Sequence, residues 1–198
     1  MKGISPLISS ILIIGIYLSL IFLAYTWGVP IAEKNADIPT LNKAEYFLST
    51  LSKEIDDVIR FKNKEKIVFD LPGQIYIDPK KDQIYFSLLT RDTIYSSDSF
   101  ICFSKNCNLT QATIGQDSFY ILGVNVTRTQ YEAINDYYLI FRYLTSGDYI
   151  YRIDLISLGN STIVGGKGSK LLIENCGTKK EQFLGGEKIT TFLNITFM

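Results

Sequence analysis

No histidine occurs anywhere in these 198 residues. That absence removes the commonest general base and the commonest metal ligand, so neither a Ser-His-Asp nor a Cys-His site can be assembled. The remaining groups with chemistry to offer are few. Three cysteines are present. Cys102 and Cys107 bracket Phe103-Ser104-Lys105-Asn106, and a short loop between strands would bring their sulfurs together in an oxidising exterior. A loop so small gains less from cross-linking than a long one. Cys176 is left over and could displace either partner. Three thiols at scattered spacing do not make a tetrahedral set, so neither a metal nor a cofactor is expected. Gly165-Gly166-Lys167-Gly168-Ser169 resembles a phosphate loop only at first sight. A Walker sequence would need Gly where Ser161 stands, and Ser or Thr where Gly168 follows the lysine. The segment reads as a flexible loop. No carboxylate pair stands out, and no enzymatic activity is expected.

A second kind of chemistry is modification. Four Asn-x-Ser/Thr triplets occur, at Asn108-Leu109-Thr110, Asn125-Val126-Thr127, Asn160-Ser161-Thr162 and Asn194-Ile195-Thr196, none with proline in the middle. With ten Asn and 31 Ser plus Thr in the chain, chance predicts about 1.6 such triplets, so four is a modest excess. Asn125 and Asn194 fall on expected strands, on the side away from the apolar residues, where a glycan could be carried.

The elements that must carry these groups divide the chain sharply. Residues 4–32 contain no charged side chain. As an α-helix, Ile8 to Gly28 would span about 31 Å, close to the hydrocarbon thickness of a bilayer. A helix satisfies its own backbone, so lipid tolerates it. Ser9, Ser10, Gly15 and Ser19 are small enough to let helices approach closely, and Tyr25 and Trp27 suit the far interface. Pro30 and Pro39, with Glu33-Lys34-Asn35-Ala36-Asp37 between them, predict a break. A short amphipathic helix is expected from Leu41 to about Lys62, with Phe47, Leu51, Ile55, Val58 and Ile59 on one face.

From Lys66 onward the period changes to two. Ile75 and Ile77, a turn at Asp78-Pro79-Lys80-Lys81-Asp82, then Ile84, Phe86 and Leu88 predict a hairpin. Tyr149, Tyr151, Ile153 and Leu155 form another alternating face, and the last strand is expected over 189–197, with Leu193, Ile195 and Phe197 together. The expected fold is α+β: a long hydrophobic helix, a short amphipathic helix, and an antiparallel β-sheet or sandwich head. Thirteen tyrosines and twelve phenylalanines fit that head. Twenty basic and twenty acidic side chains give zero net charge. No basic excess is present for nucleic acid, and no polybasic stretch for anionic lipid.

The beginning of the chain carries a more specific signal. Lys2-Gly3 stands directly before the uncharged run, followed by Ile4-Ser5-Pro6-Leu7-Ile8. This resembles the leader of archaeal type IV pilins, the class III or prepilin-type signal peptide. Residue 8 is Ile, where many bacterial pilins carry glutamate, which is closer to the archaeal branch. The resemblance covers about 30 residues. It implies a membrane peptidase acting at Lys2, Gly3 and Ile4, so that residues 1–3 are a cleaved leader and 4–30 a membrane-spanning and then filament-core helix. Residues 31–65 would be linker and amphipathic helix, and 66–198 a β-rich exterior head. Removal of Lys2 would leave 19 basic against 20 acidic side chains. The implied function is a structural subunit, major or minor, of a surface filament. Its partners would be the membrane, the leader peptidase and like subunits, with no nucleic acid, and its head would serve cell adhesion. The positive-inside rule places the N-terminus in the cytoplasm. The alternative is an anchored accessory protein of the archaellum or cell envelope with a β-sandwich head, which an uncleaved N-terminus would favour.

Overall fold

The computed structural model describes residues 6–95, 99–110, 112–130, 132–156, 162–183 and 185–198. One helix, α1 (Pro6–Phe61), is followed by eleven strands among these residues. They are β1 (Lys64–Phe69), β2 (Gly73–Asp78), β3 (Gln83–Thr90), β4 (Ile101–Cys102), β5 (Tyr120–Arg128), β6 (Ala133–Phe141), β7 (Leu144–Ser146), β8 (Tyr149–Ile156), β9 (Ile163–Gly166), β10 (Ser169–Phe183) and β11 (Gly186–Phe197). The architecture is α+β, a long N-terminal helix followed by sheets that are mostly antiparallel.

The expected break at the prolines does not occur. Pro30 and Pro39 both lie inside α1, so the amphipathic helix is the continuation of the apolar one and residues 31–61 are not a linker. Each proline deletes one i→i−4 hydrogen bond and crowds the carbonyl four residues back, a cost of about 3 kcal/mol. The intervening stretch offers no glycine to stop the helix and includes strong helix formers such as Ala32, Glu33, Lys34 and Ala36. The head also grips this turn. The Asp37 carboxylate accepts the backbone N–H of Arg91 at 2.8 Å and of Asp92 at 3.3 Å. The helix ends where the sequence predicts. Lys62 takes a left-handed conformation, φ 54°, and its N–H still donates to the Val58 carbonyl at 3.0 Å.

Over its second half α1 becomes one-sided. Leu41, Ala44, Leu48, Leu51, Ile55 and Val58 are buried, at alternating steps of three and four that keep one stripe facing inward. Phe47 sits at the edge of that stripe, edge-on to Phe69 and Phe86 with centroids 5.3 and 5.4 Å away.

Two sheets close on this stripe. One runs in the order β1-β10-β11-β8-β7, the other β4-β5-β6-β3-β2-β9. Their inward residues, Phe69, Leu171, Ile173, Leu193 and Ile195 from the first and Ile75, Phe86, Tyr137 and Leu139 from the second, join the helix stripe in a single core. The predicted hairpin is β2–β3, paired Ile75↔Phe86 and Ile77↔Ile84. Its turn is held by the Asp78 carboxylate, which accepts the N–H of Lys80 and Lys81 at 3.1 and 3.3 Å.

Two further features depart from the sequence expectation. Strands β8 and β11 pair in parallel, Tyr151↔Ile189 to Asn194↔Ile156. The chain leaves the first sheet after β8, adds β9 to the second, and returns through β10, so it re-enters alongside β8 running the same way. The glycine-rich segment 165–169 is the corner of that return. Gly168 has φ +86° and donates its N–H to the Phe69 carbonyl at 2.7 Å. A side chain at Gly165 would lie 2.5 Å from the Phe197 ring. The glycines allow a sheet change and a close ring approach.

Candidate functional site: the bare helix and its attachment to the head

Among the described residues, none packs around the first half of α1. Ile11, Leu12, Ile13 and Ile14 are between 50% and 63% exposed. Consecutive helical residues project about 100° apart, so these four cover the whole circumference. The same holds through Leu18, Ile21, Phe22 and Leu23 to Trp27 and Ile31, all exposed. A water-soluble helix would turn one face to a core and one to solvent. This one is apolar all round, and it is long and apolar enough to cross a membrane. Two of its hydroxyls are satisfied within the helix. Ser19 donates to the Gly15 carbonyl at 2.8 Å and Thr26 to the Leu23 carbonyl at 3.0 Å, which removes a desolvation penalty in lipid or in a helix bundle.

The second half is fastened at several heights. Tyr95 donates its hydroxyl to Glu45 Oε1 at 2.6 Å and lies 3.0 Å from the Tyr137 hydroxyl. Tyr137 reaches the Leu41 carbonyl at 3.4 Å. Near the helix end, Tyr120 donates to Asp56 Oδ2 at 2.7 Å, and Asn175 Nδ2 donates to the Val58 carbonyl at 3.4 Å. Burial drives the titration of this set. It holds the Tyr95, Tyr120 and Tyr137 hydroxyls far above the usual tyrosine range. The carboxylates bonded to Tyr95 and Tyr120 push the same way, because each accepts only from a protonated hydroxyl. Burial also raises the Asp56 carboxyl, against the downward pull of the Tyr120 hydrogen bond and the Arg60 charge. No spacing rule in the sequence singles out these tyrosines, which come from a loop and two different strands. Only their burial beside a helix carboxylate reveals the role.

Of the residues expected to matter, Cys102 and Cys107 are joined by a disulfide. Cys176 stands exposed on β10, outside that bridge. The sequence reading missed the group that organises the cysteine loop. Arg142, only 4% exposed, donates Nε to the Ser118 carbonyl and Nη1 to the carbonyls of Asn106 and Asn108, each at 2.9 Å. Burial lowers the Arg142 pKa, opposed by the charge of Asp117. A buried cation with three carbonyl acceptors and a carboxylate nearby is a compensated one. It holds the segment that bears the Asn108 sequon on the outside of the head.

Asn108 is exposed and accepts the Thr110 N–H and hydroxyl, both at 2.9 Å. Asn125 and Asn194 lie on strands between buried neighbours, Val124 and Val126 for the first, Leu193 and Ile195 for the second. Both therefore project to the outer faces, as expected. Asn160 and the Lys2, Gly3 and Ile4 triplet fall outside the described residues. The described residues contain no group of three His, Cys, Asp or Glu side chains arranged to hold a metal ion.

Compared with models of known protein families, with curated proteins and with solved structures, the chain matches none. The fold and the exposed helix together define a general class: a β-rich, disulfide-containing head built around one end of a single helix, whose other end is a bare apolar rod.

Proposed function

We propose that this chain is a structural subunit of a type IV pilus-like surface filament, assembled through its N-terminal helix. The observation that carries the reading is the change along α1, from apolar on every side before residue 32 to one-sided and buried after residue 40. A helix apolar all round needs either lipid or sister helices around it. A pilin uses both in turn. Cleavage after Gly3 removes the positive charge of Lys2 from the end that must enter the bundle, where an unpaired charge costs several kcal/mol. Each helix then buries its apolar side chains against its neighbours. The head stays outside, and because it encloses the second half of the same helix, it is carried at a set height above the bundle. In this reading the head is exterior, the N-terminus is cytoplasmic before assembly, and no reaction is catalysed.

The test is the leader. Native protein should begin at Ile4 by mass spectrometry and appear in filaments sheared from cells. Gly3→Val puts a branched side chain where the peptidase needs a bare backbone, and should leave the protein wholly in the membrane fraction. Retention of Met1 and Lys2 in the wild type, with no protein in the sheared fraction, would overturn the filament reading. The anchored accessory role at the archaellum or cell envelope would then replace it.

A further inference from the structure

The outer face of the second sheet carries a row of aromatic rings that neither the core nor the helix uses. Tyr76 and Tyr85 stack with centroids 4.6 Å apart, and Tyr85 and Tyr138 at 5.5 Å. Phe100 meets Tyr138 edge-on at 6.2 Å. The row ends over a glycine. A side chain at Gly123 would collide with the Phe100 ring, so the ring covers that strand position, the way an aromatic covers a strand glycine. The next residue on the same face of β5 is Asn125, the acceptor of a sequon whose Thr127 is exposed. Phe100, Tyr138, Ile140 and Asn125 together line an open hollow of about 240 Å³. The hollow is apolar on three sides, and on the fourth is the one side chain among its lining residues to which a sugar can be tethered.

We infer that this hollow is the seat of the first sugar of an N-linked glycan on Asn125. A pyranose presents an apolar C–H face and a polar hydroxyl rim. Here the C–H face would lie on the Phe100 and Tyr138 edge. The rim would face Asp136, the cross-strand partner of Asn125, and water. Asn194 sits mid-sheet, paired with Glu174 on one side and Ile156 on the other. The transfer itself is a substitution at the anomeric carbon of a lipid-phosphate-linked sugar donor. The C1–O bond to phosphate breaks, the C1–Nδ2 bond to Asn125 forms, the phosphate leaves with the electron pair, and one amide proton is lost to the transferase. Nothing is oxidised or reduced.

The inference rests on the exterior head of the proposed function, but its readout is separate from filament assembly. Wild type, Thr127→Val, Phe100→Leu and the double variant should be purified from the native cells in detergent. Thr127→Val keeps the branched strand residue and destroys the sequon. Phe100→Leu keeps an apolar cover on Gly123 and removes the ring. Glycopeptide mapping should find Asn125 modified in wild type and in Phe100→Leu. Thr127→Val should lower Tm by roughly 2–4 °C, the size of effect one such contact has in a chain of this length. In the Phe100→Leu background the same change should lower it by less than about 1 °C. All four chains made in a host without N-glycosylation should lose this difference. An unmodified Asn125 overturns the inference, whether or not Asn108 or Asn194 carries sugar. An equal loss of Tm with and without the Phe100 ring overturns it as well.

Discussion

Leu18 and Leu51 are the same residue on the same helix, about nine turns apart. Leu18 is 62% exposed and Leu51 is completely buried. Both have helical backbones. The difference lies in what surrounds each half. Leu51 belongs to a stripe with charged and polar residues on the other faces, and the two sheets cover the stripe. Leu18 belongs to a segment with no polar face, which none of the described residues covers. The comparison teaches that one continuous helix has two kinds of surface, and that the division between them falls at residues 30–40, where the prolines sit. The prolines do not cut the helix. They mark where its surroundings change.

The harshest way to break the comparison is truncation. A chain beginning at Ala36 keeps Asp37 and the whole buried stripe, and should fold cooperatively in water without detergent. A chain beginning at Asn63 keeps all eleven strands and loses Leu41, Leu48, Leu51, Ile55 and Val58 from the core. At roughly 1.5–3 kcal/mol each, their loss is on the order of 10 kcal/mol, comparable with the whole stability of a domain. That chain should aggregate or give no unfolding transition. If it folds as well as the longer one, the inner half of α1 is not part of the core in solution.

A gentler version substitutes the two leucines. Leu51→Ala should destabilise the head by about 2–5 kcal/mol, the cost of a cavity at a fully buried site. Leu18→Ala should leave head stability within about 0.5 kcal/mol of wild type. Urea titration in detergent measures both, and equal effects would erase the distinction between the halves.

The polar attachments sharpen the comparison at smaller scale. Tyr95→Phe takes from Glu45 the hydroxyl that donates to it and leaves the Tyr137 hydroxyl with the Leu41 carbonyl alone, and should cost about 1–3 kcal/mol. The smallest effect concerns pH. Burial holds the Asp56 pKa above its ordinary 3.8. The native state then binds more protons than the unfolded one between that value and the raised native value. Stability therefore falls as pH rises through this window, and the contribution is most favourable below it. Asp56→Asn keeps an acceptor for Tyr120 and removes the titration, so the fall attributable to this site should vanish. Urea midpoints measured from pH 3 to 7 check the sign. A steeper fall in the variant would contradict the assigned direction.

Much of this molecule is legible without coordinates, because the strongest signals are local. An uncharged run longer than 20 residues, a helical stripe with period 3.6, and strands with period two each report on a single segment. The sequence alone accordingly predicts the apolar rod, the end of the helix near Lys62, the β2–β3 hairpin, the last strand and the partnership of Cys102 with Cys107. The break expected at Pro30 and Pro39 does not form because proline's local penalty is outweighed by non-local contacts: Asp37 and the buried stripe hold the downstream turns in helical register against the head. The parallel β8–β11 pair was equally beyond reach, since strand direction depends on where the chain travels between two strands and not on the pattern within either. The tyrosines show the same division most clearly. Thirteen of them look alike in sequence. Only the packing of two sheets around one helix makes Tyr95, Tyr120 and Tyr137 buried anchors of the helix and sets Tyr76, Tyr85 and Tyr138 in a row on the outer face, because an aromatic ring's role is set by which side of the sheet it faces and by what stands opposite.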